Sequence, residues 1–189
     1  SVEKCSTLNP LNEADRTAYL QSVERIIAKE PEQAQKRIYP VMGAYVGEEY
    51  HYLLHQCLCF QPSLSLVRKV YESWPQAIQE FCHHRTADKV GTALPLHCAT
   101  YFDAPVDVIC FLASKYPEAA KMGTKEQRNT PLHLALQRNS TKLKEVVKIL
   151  VRAAPSSLLA HNKEGTPIHV AITVPASMDV IRYLANLNP

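Results

Sequence analysis

The chain has 189 residues, 46% of them apolar, enough to bury a continuous core and too many for a largely disordered segment. A net charge of +3 does not by itself describe a nucleic-acid binder. With 5 glycines against 13 prolines and no Asn-Gly or Asp-Gly pair, helices punctuated by proline are expected rather than strand hairpins.

In chain order, residues 1–11 read as a tail. Asn12 is placed to cap a helix with Glu13 and Asp15 in its first turn, and Ser22 to Glu30 form an amphipathic run closed by Pro31. Ile38 to Gly47 follows, unusually apolar for a connection. It is expected either to cover an end of the molecule or to form a binding ledge with tyrosine anchors. A hydrophobic-His pair then recurs at Leu54-His55, Leu96-His97, Leu132-His133 and Ile168-His169, with the histidines 42, 36 and 36 residues apart. A small residue stands two places on each time, at Cys57, Ala99, Ala135 and Ala171. A second landmark keeps step: an apolar helical run ends in proline at Pro75, Pro117, Pro155 and Pro189, lying 20, 20, 22 and 20 residues after its histidine. Each unit therefore reads as two antiparallel helices. Proline opens the first, as Pro131 does after Thr130, and proline ends the second because its ring cannot continue a helix. The segment around Pro31 carries only the second landmark, as an atypical capping unit should.

Thr130-Pro131-Leu132-His133-Leu134-Ala135 resembles the ankyrin signature, and Thr166-Pro167-Ile168-His169-Val170-Ala171 is nearly as close. The resemblance implies an all-α solenoid of about four helix pairs with an N-terminal capping helix: cap 12–47, then repeats at about 48–90, 91–126, 127–162 and 163–189, all one domain. The branch is divergent. Pro-Gln-Ala-Ile, Pro-Glu-Ala-Ala and Pro-Ser-Ser-Leu stand where a Gly-Ala-Asp type turn is usual, and Tyr52-Leu53 replaces Thr-Pro in the first unit. The resemblance also assigns His55, His97, His133 and His169 a structural role, hydrogen bonding near the turn and tying units together. Copies one repeat apart are too far from each other to share a metal.

No phosphate-cradling loop, nucleophile elbow or His-Glu-x-x-His occurs, so neither catalysis, cofactor nor metal is expected. The third-ranked alternative is a metal-dependent enzyme built on Cys82-His83-His84, which lacks a second ligand pair at finger spacing. The six cysteines form no Cys-x-x-Cys pair and nothing at the N-terminus resembles a signal peptide. The expectation is a reduced, soluble, intracellular monomer, cytoplasmic or nuclear, without a membrane span.

The expected function is protein–protein interaction on a concave face of first helices and turn tips, as the resemblance implies. The expected contacts are Phe60, Tyr101, Phe102, Arg138 and Asn139, with His84, Arg85 and Arg128 on a basic rim beside Lys125 and Lys163. Residues 115–164 carry 10 Lys/Arg against 4 Asp/Glu. They are either a solvated helix face or, in the second reading, a surface for a phosphorylated group or nucleic acid. Nucleic acid ranks below a protein or peptide partner.

Overall fold

The computed structural model describes residues 12–37, 51–84, 91–174 and 176–187, with backbone alone at 83, 84 and 91. The apolar stretch Ile38 to Gly47 and Arg85 lie outside these residues. Asn12 caps the first helix as its sequence position suggests: Oδ1 accepts the amides of Ala14 and Asp15 at 2.9 and 3.3 Å. That helix, α1, runs Glu13–Lys29 and turns Tyr19 and Val23 into the core. Four helix pairs follow, α2 (Leu53–Leu58) with α3 (Leu64–Ser73), α4 (Pro95–Tyr101) with α5 (Val106–Lys115), α6 (Pro131–Arg138) with α7 (Leu143–Ala153), and α8 (Pro167–Thr173) with α9 (Met178–Leu187). The first helices α2, α4, α6 and α8 pack side by side in one row, the second helices α3, α5, α7 and α9 in another, and α1 packs on α3. A single apolar cluster runs through all of them, from Tyr19 to Leu184.

Proline shapes the end of the second helices α3, α5 and α7. The residue before it is extended: Trp74 at φ −156°, ψ 84°; Tyr116 at −142°, 78°; Ala154 at −147°, 90°. Glu30 before Pro31 does the same at −139°, 68°. Each proline then opens a short 3-10 turn, at Pro31–Gln35, Pro75–Gln79, Pro117–Ala120 and Pro155–Leu159. Each turn buries its fourth residue, respectively Ala34, Ile78, Ala120 and Leu158, and the last three also bury the residue before it, Ala77, Ala119 and Ser157. The segments that depart from the usual ankyrin turn are thus packed elements that seal the stack.

Chain reversal between units differs from the expectation that hairpins are absent. Strand β1 (Cys82–His84) pairs antiparallel with β2 (Gly91–Ala93), joining Cys82 to Ala93, His83 to Thr92 and His84 to Gly91. A single bridge, Asn162 to Gly165, repeats the motif before α8. Before α6 a tight turn serves instead: the Thr124 amide donates to the Asn129 carbonyl at 2.9 Å and the Arg128 amide to the Thr124 carbonyl at 2.9 Å. Gly123 permits this closure, because a Cβ there would stand 2.7 Å from the Arg128 carbonyl oxygen.

The repeated histidine joins one unit to the next. At Thr130 the amide donates to His133 Nδ1 at 3.3 Å, and Thr130 Oγ1 lies 2.8 Å from the same nitrogen. Nδ1 is therefore an acceptor, and the ring proton sits on Nε2. That N–H donates across the seam to the Gly165 carbonyl at 3.2 Å. His97 does the same, taking the Leu94 amide on Nδ1 and donating from Nε2 to the Met122 carbonyl at 2.8 Å. His55 Nε2 reaches the Glu80 carbonyl at 3.0 Å. Tyr52 stands at the cap position of that unit, and His55 Nδ1 is buried without a hydrogen-bond partner among the described residues. Burial keeps all three rings neutral, holding His97 and His133 at about 4 and His55 at about 3, against 6.5 for a free imidazole.

In the unfolded chain these rings take up protons as pH falls through 6.5, while the folded chain resists until about 4. Stability is thus full above neutral pH and falls through that window, by roughly 3 kcal/mol per ring at about 1.4 kcal/mol per pKa unit. Urea midpoints measured from pH 7.5 to 4.5 should decline steeply, and His133→Gln should lower the slope by about one proton. Gly123→Ala should cost about 1–3 kcal/mol in the same assay, because a backbone atom, not a flexible side chain, stands in the way.

Candidate functional site

The first helices α2, α4 and α6 end in the same backbone turn. Gln61, Asp103 and Asn139, each six residues after its histidine, take left-handed φ values of 51°, 55° and 48°. None is glycine, so each turn carries a side chain outward at its tip. These tips also link neighbouring units. Arg16 Nη1 donates to Gln61 Oε1 at 2.7 Å, and Gln61 Nε2 lies 3.5 Å from the Phe102 carbonyl. Lys142 Nζ pairs with Asp103 at 3.3 Å and donates to its carbonyl at 3.1 Å. Gln61 and Asp103 close the first-helix ends on which the concave face was expected, whereas Lys142 was not among the expected contacts. The shared offset of Gln61 and Asp103 from the histidine was visible in the sequence, but the links of all three across units were not.

Phe60 must be removed from the expected surface. It is 5% exposed and its ring stacks on Tyr19, with centroids 4.0 Å apart and planes at 17°. The capping helix brings an aromatic partner to a place where water was expected, so Phe60 is part of the core. Tyr101 and Phe102 are half-buried and meet edge to face, centroids 5.1 Å apart at 85°. Arg138 and Asn139 are exposed at the end of α6. Arg138 and Asp103 line the same shallow recess, whose floor is Ile109, Leu143 and Val146. An aromatic pair, a cation, an anion and an amide therefore stand along two adjacent tips.

Of the expected rim, Arg128 is exposed in a left-handed conformation at φ 60°. Lys125 Nζ lies over the Phe81 ring at 5.7 Å, and Lys163 is exposed. His84 contributes only its backbone position, in β1. Carboxylates interleave with these cations. Glu126 accepts the Thr92 amide at 2.7 Å and its hydroxyl at 2.9 Å, and Glu164 accepts from Gln137 at 3.2 Å. Asn162 Nδ2 reaches Asn129 Oδ1 at 2.6 Å, tying one reversal to the next. The rim is thus mixed in sign and braced to its neighbours.

His55, His97 and His133 are absorbed by the seams described above, whereas His169 is exposed. Cys57, Cys59, Cys82 and Cys98 are buried and Cys110 is exposed, all as free thiols. Cys82 Sγ lies 4.0 Å from Cys98 Sγ inside the core, where burial pushes the Cys82 thiol up. Its side chain packs inward, away from the β1 surface to which a metal site was assigned as the third alternative. On the opposite row, sequence reasoning missed a cluster on α3 and α5. Tyr71 meets Phe111 edge to face at 5.5 Å, with Arg68 5.6 Å from the Phe111 ring and Lys115 5.8 Å from that of Tyr71. Its members come from different units, so no local pattern joins them.

The family model for ankyrin repeats matches residues 96–189 as three copies. Among curated proteins, none matches the chain. The unit formed by α2 and α3 lies ahead of the matched stretch, yet it has the same histidine-to-carbonyl link, left-handed tip and proline turn as the units within it. Sequence signature, helix-pair architecture and family match agree, and the chain belongs to the ankyrin-repeat family.

Proposed function

We propose that the chain is a protein–protein interaction module that holds its partner along the tips of the first helices and the adjoining reversals, with residues 12–189 acting as one binding body. Ankyrin repeats are in general modules for binding other proteins. The observation that carries the assignment to this face is the Tyr101–Phe102 pair, half-exposed beside Arg138, Asn139 and Asp103 on cross-braced turns. Rigid aromatics and arginine are the residue types that anchor interfaces, and a pre-braced surface loses little entropy on binding. Arg128 and Lys125 extend the face, and Arg85 is assigned to it by sequence position. The partner is a protein or peptide, the module acts without catalysis as a monomer, and the location is intracellular. The unbridged, buried cysteines fit a reducing compartment.

The second reading, an anionic ligand on residues 115–164, is weakened by the neutralised cations. Lys142 is paired with Asp103 at 3.3 Å and Lys144 with Asp179 at 3.2 Å, and Glu126 and Glu164 stand among the rest.

An affinity capture from cell lysate, with the chain as bait at low and high salt, separates the two. A protein retained at high salt, and lost about tenfold or more with Tyr101→Ala or Arg138→Ala while Lys148→Ala keeps it, is the expected outcome. Binding that disappears at high salt and ignores Tyr101→Ala would establish the anionic reading instead. Unchanged circular dichroism and melting temperature of each variant confirm that the fold is intact.

A further inference from the structure

Equivalent positions in the four helix pairs should have equivalent burial, and the last pair breaks the pattern on one side only. His55, His97 and His133 are each 0% exposed, but His169 is exposed. Leu58, Thr100 and Leu136, three residues on, are buried, while Ile172 in that place is 62% exposed. Leu54, Leu96 and Leu132 are buried where Ile168 is half-buried, and Val67, Ile109 and Val147 are buried where Ile181 is half-buried. Ala113 and Val151 are buried where Ala185 is exposed. The other side of the same pair is normal: Val170, Ala171, Val180 and Leu184 are buried against α6 and α7. Each exposed or half-exposed residue occupies a position that, in preceding units, is covered by the unit that follows.

The hydrogen bonding is left open at the same place. The Thr166 amide donates to His169 Nδ1 at 3.3 Å and Thr166 Oγ1 lies at 2.7 Å, so the proton again sits on Nε2. In three earlier units that N–H finds a backbone carbonyl of the next reversal. At His169 it meets no acceptor among the described residues.

We propose that His169, Ile168, Ile172, Ile181 and Ala185 form a stacking face that takes one further helix pair of the same repeat type, whose reversal supplies a main-chain carbonyl to His169 Nε2. The face continues an interface already built three times in this molecule, with the donor preset and the apolar positions in register. A second copy of the chain does not supply the match. The exposed face of α1 carries Glu13, Thr17, Gln21, Glu24 and Arg25 among small alanines, with no large apolar side chain to match that stripe. Two copies meeting through the His169 face would oppose donor to donor.

The test appends a duplicate of residues 156–189 directly after Pro189, which continues the proline period in register, and reads ring and amide exchange by NMR. Docking should slow exchange of the His169 Nε2 proton with water from unobservable to observable. It should also raise amide protection in α8 and α9 about tenfold. Ile172→Asp should abolish both effects in the extended chain and leave the melting temperature of the 189-residue chain unchanged. If that duplicate adds no helix by circular dichroism, residues 118–155 are appended in its place. Absence of His169 protection with both additions overturns the proposal. So does a 189-residue chain that sediments as a dimer with His169 already protected, since a second copy would then be the occupant.

Discussion

One buried, neutral imidazole at each seam between helix pairs decides how this molecule is assembled. At His97 and His133 an amide at the start of the first helix takes up Nδ1, which leaves the proton on Nε2 and makes the ring a donor across the seam. A charged ring could not accept on Nδ1, and a ring in the other tautomer would face a carbonyl with a lone pair. Register between units therefore depends on keeping these rings dry, which the flanking apolar residues and proline turns do. Helix length matters less: the first helices have only 6 to 8 residues and gain their order from packing.

The landmarks that could be read from sequence were those whose cause is local. Proline before an extended residue, asparagine at an N-cap and a period of histidines each act over a few residues, and they located the helix pairs and the rings that join them. Burial that depends on two distant segments could not be read. Phe60 appeared as a surface aromatic because its stacking partner, Tyr19, lies in the capping helix and shares no repeat motif with it. The Asp103–Lys142 pair and the Tyr71–Phe111 contact were hidden for the same reason: each joins units about forty residues apart. The β1–β2 pairing was missed because the usual hairpin dipeptides are absent and only three residues pair on each side.

The candidate surface owes its order to the same seams. Glu126 fixes the reversal ahead of α4, Asn162 fixes the one ahead of α6, and Lys142 holds the tip after α4. These contacts are individually modest at the surface. Their value lies in geometry, since each spans two units and sets the spacing of adjacent tips. A solenoid of this kind stores little information within a repeat and much in the joints between repeats.

The left-handed tips at Gln61, Asp103 and Asn139 have a consequence for how such a surface can change. A non-glycine residue in that conformation costs about 1–2 kcal/mol. A glycine there would relieve that cost but lose some 0.4–1 kcal/mol of stability through the greater freedom of its unfolded chain. The net cost of carrying a side chain at each tip is therefore small, and its cause is the backbone, not the chemistry of the head group. An amide, a carboxylate and a second amide already occupy the three places, with quite different neighbours. Variation at these positions changes the head group and the links that it makes to neighbouring units, while the left-handed backbone of each turn can stay as it is.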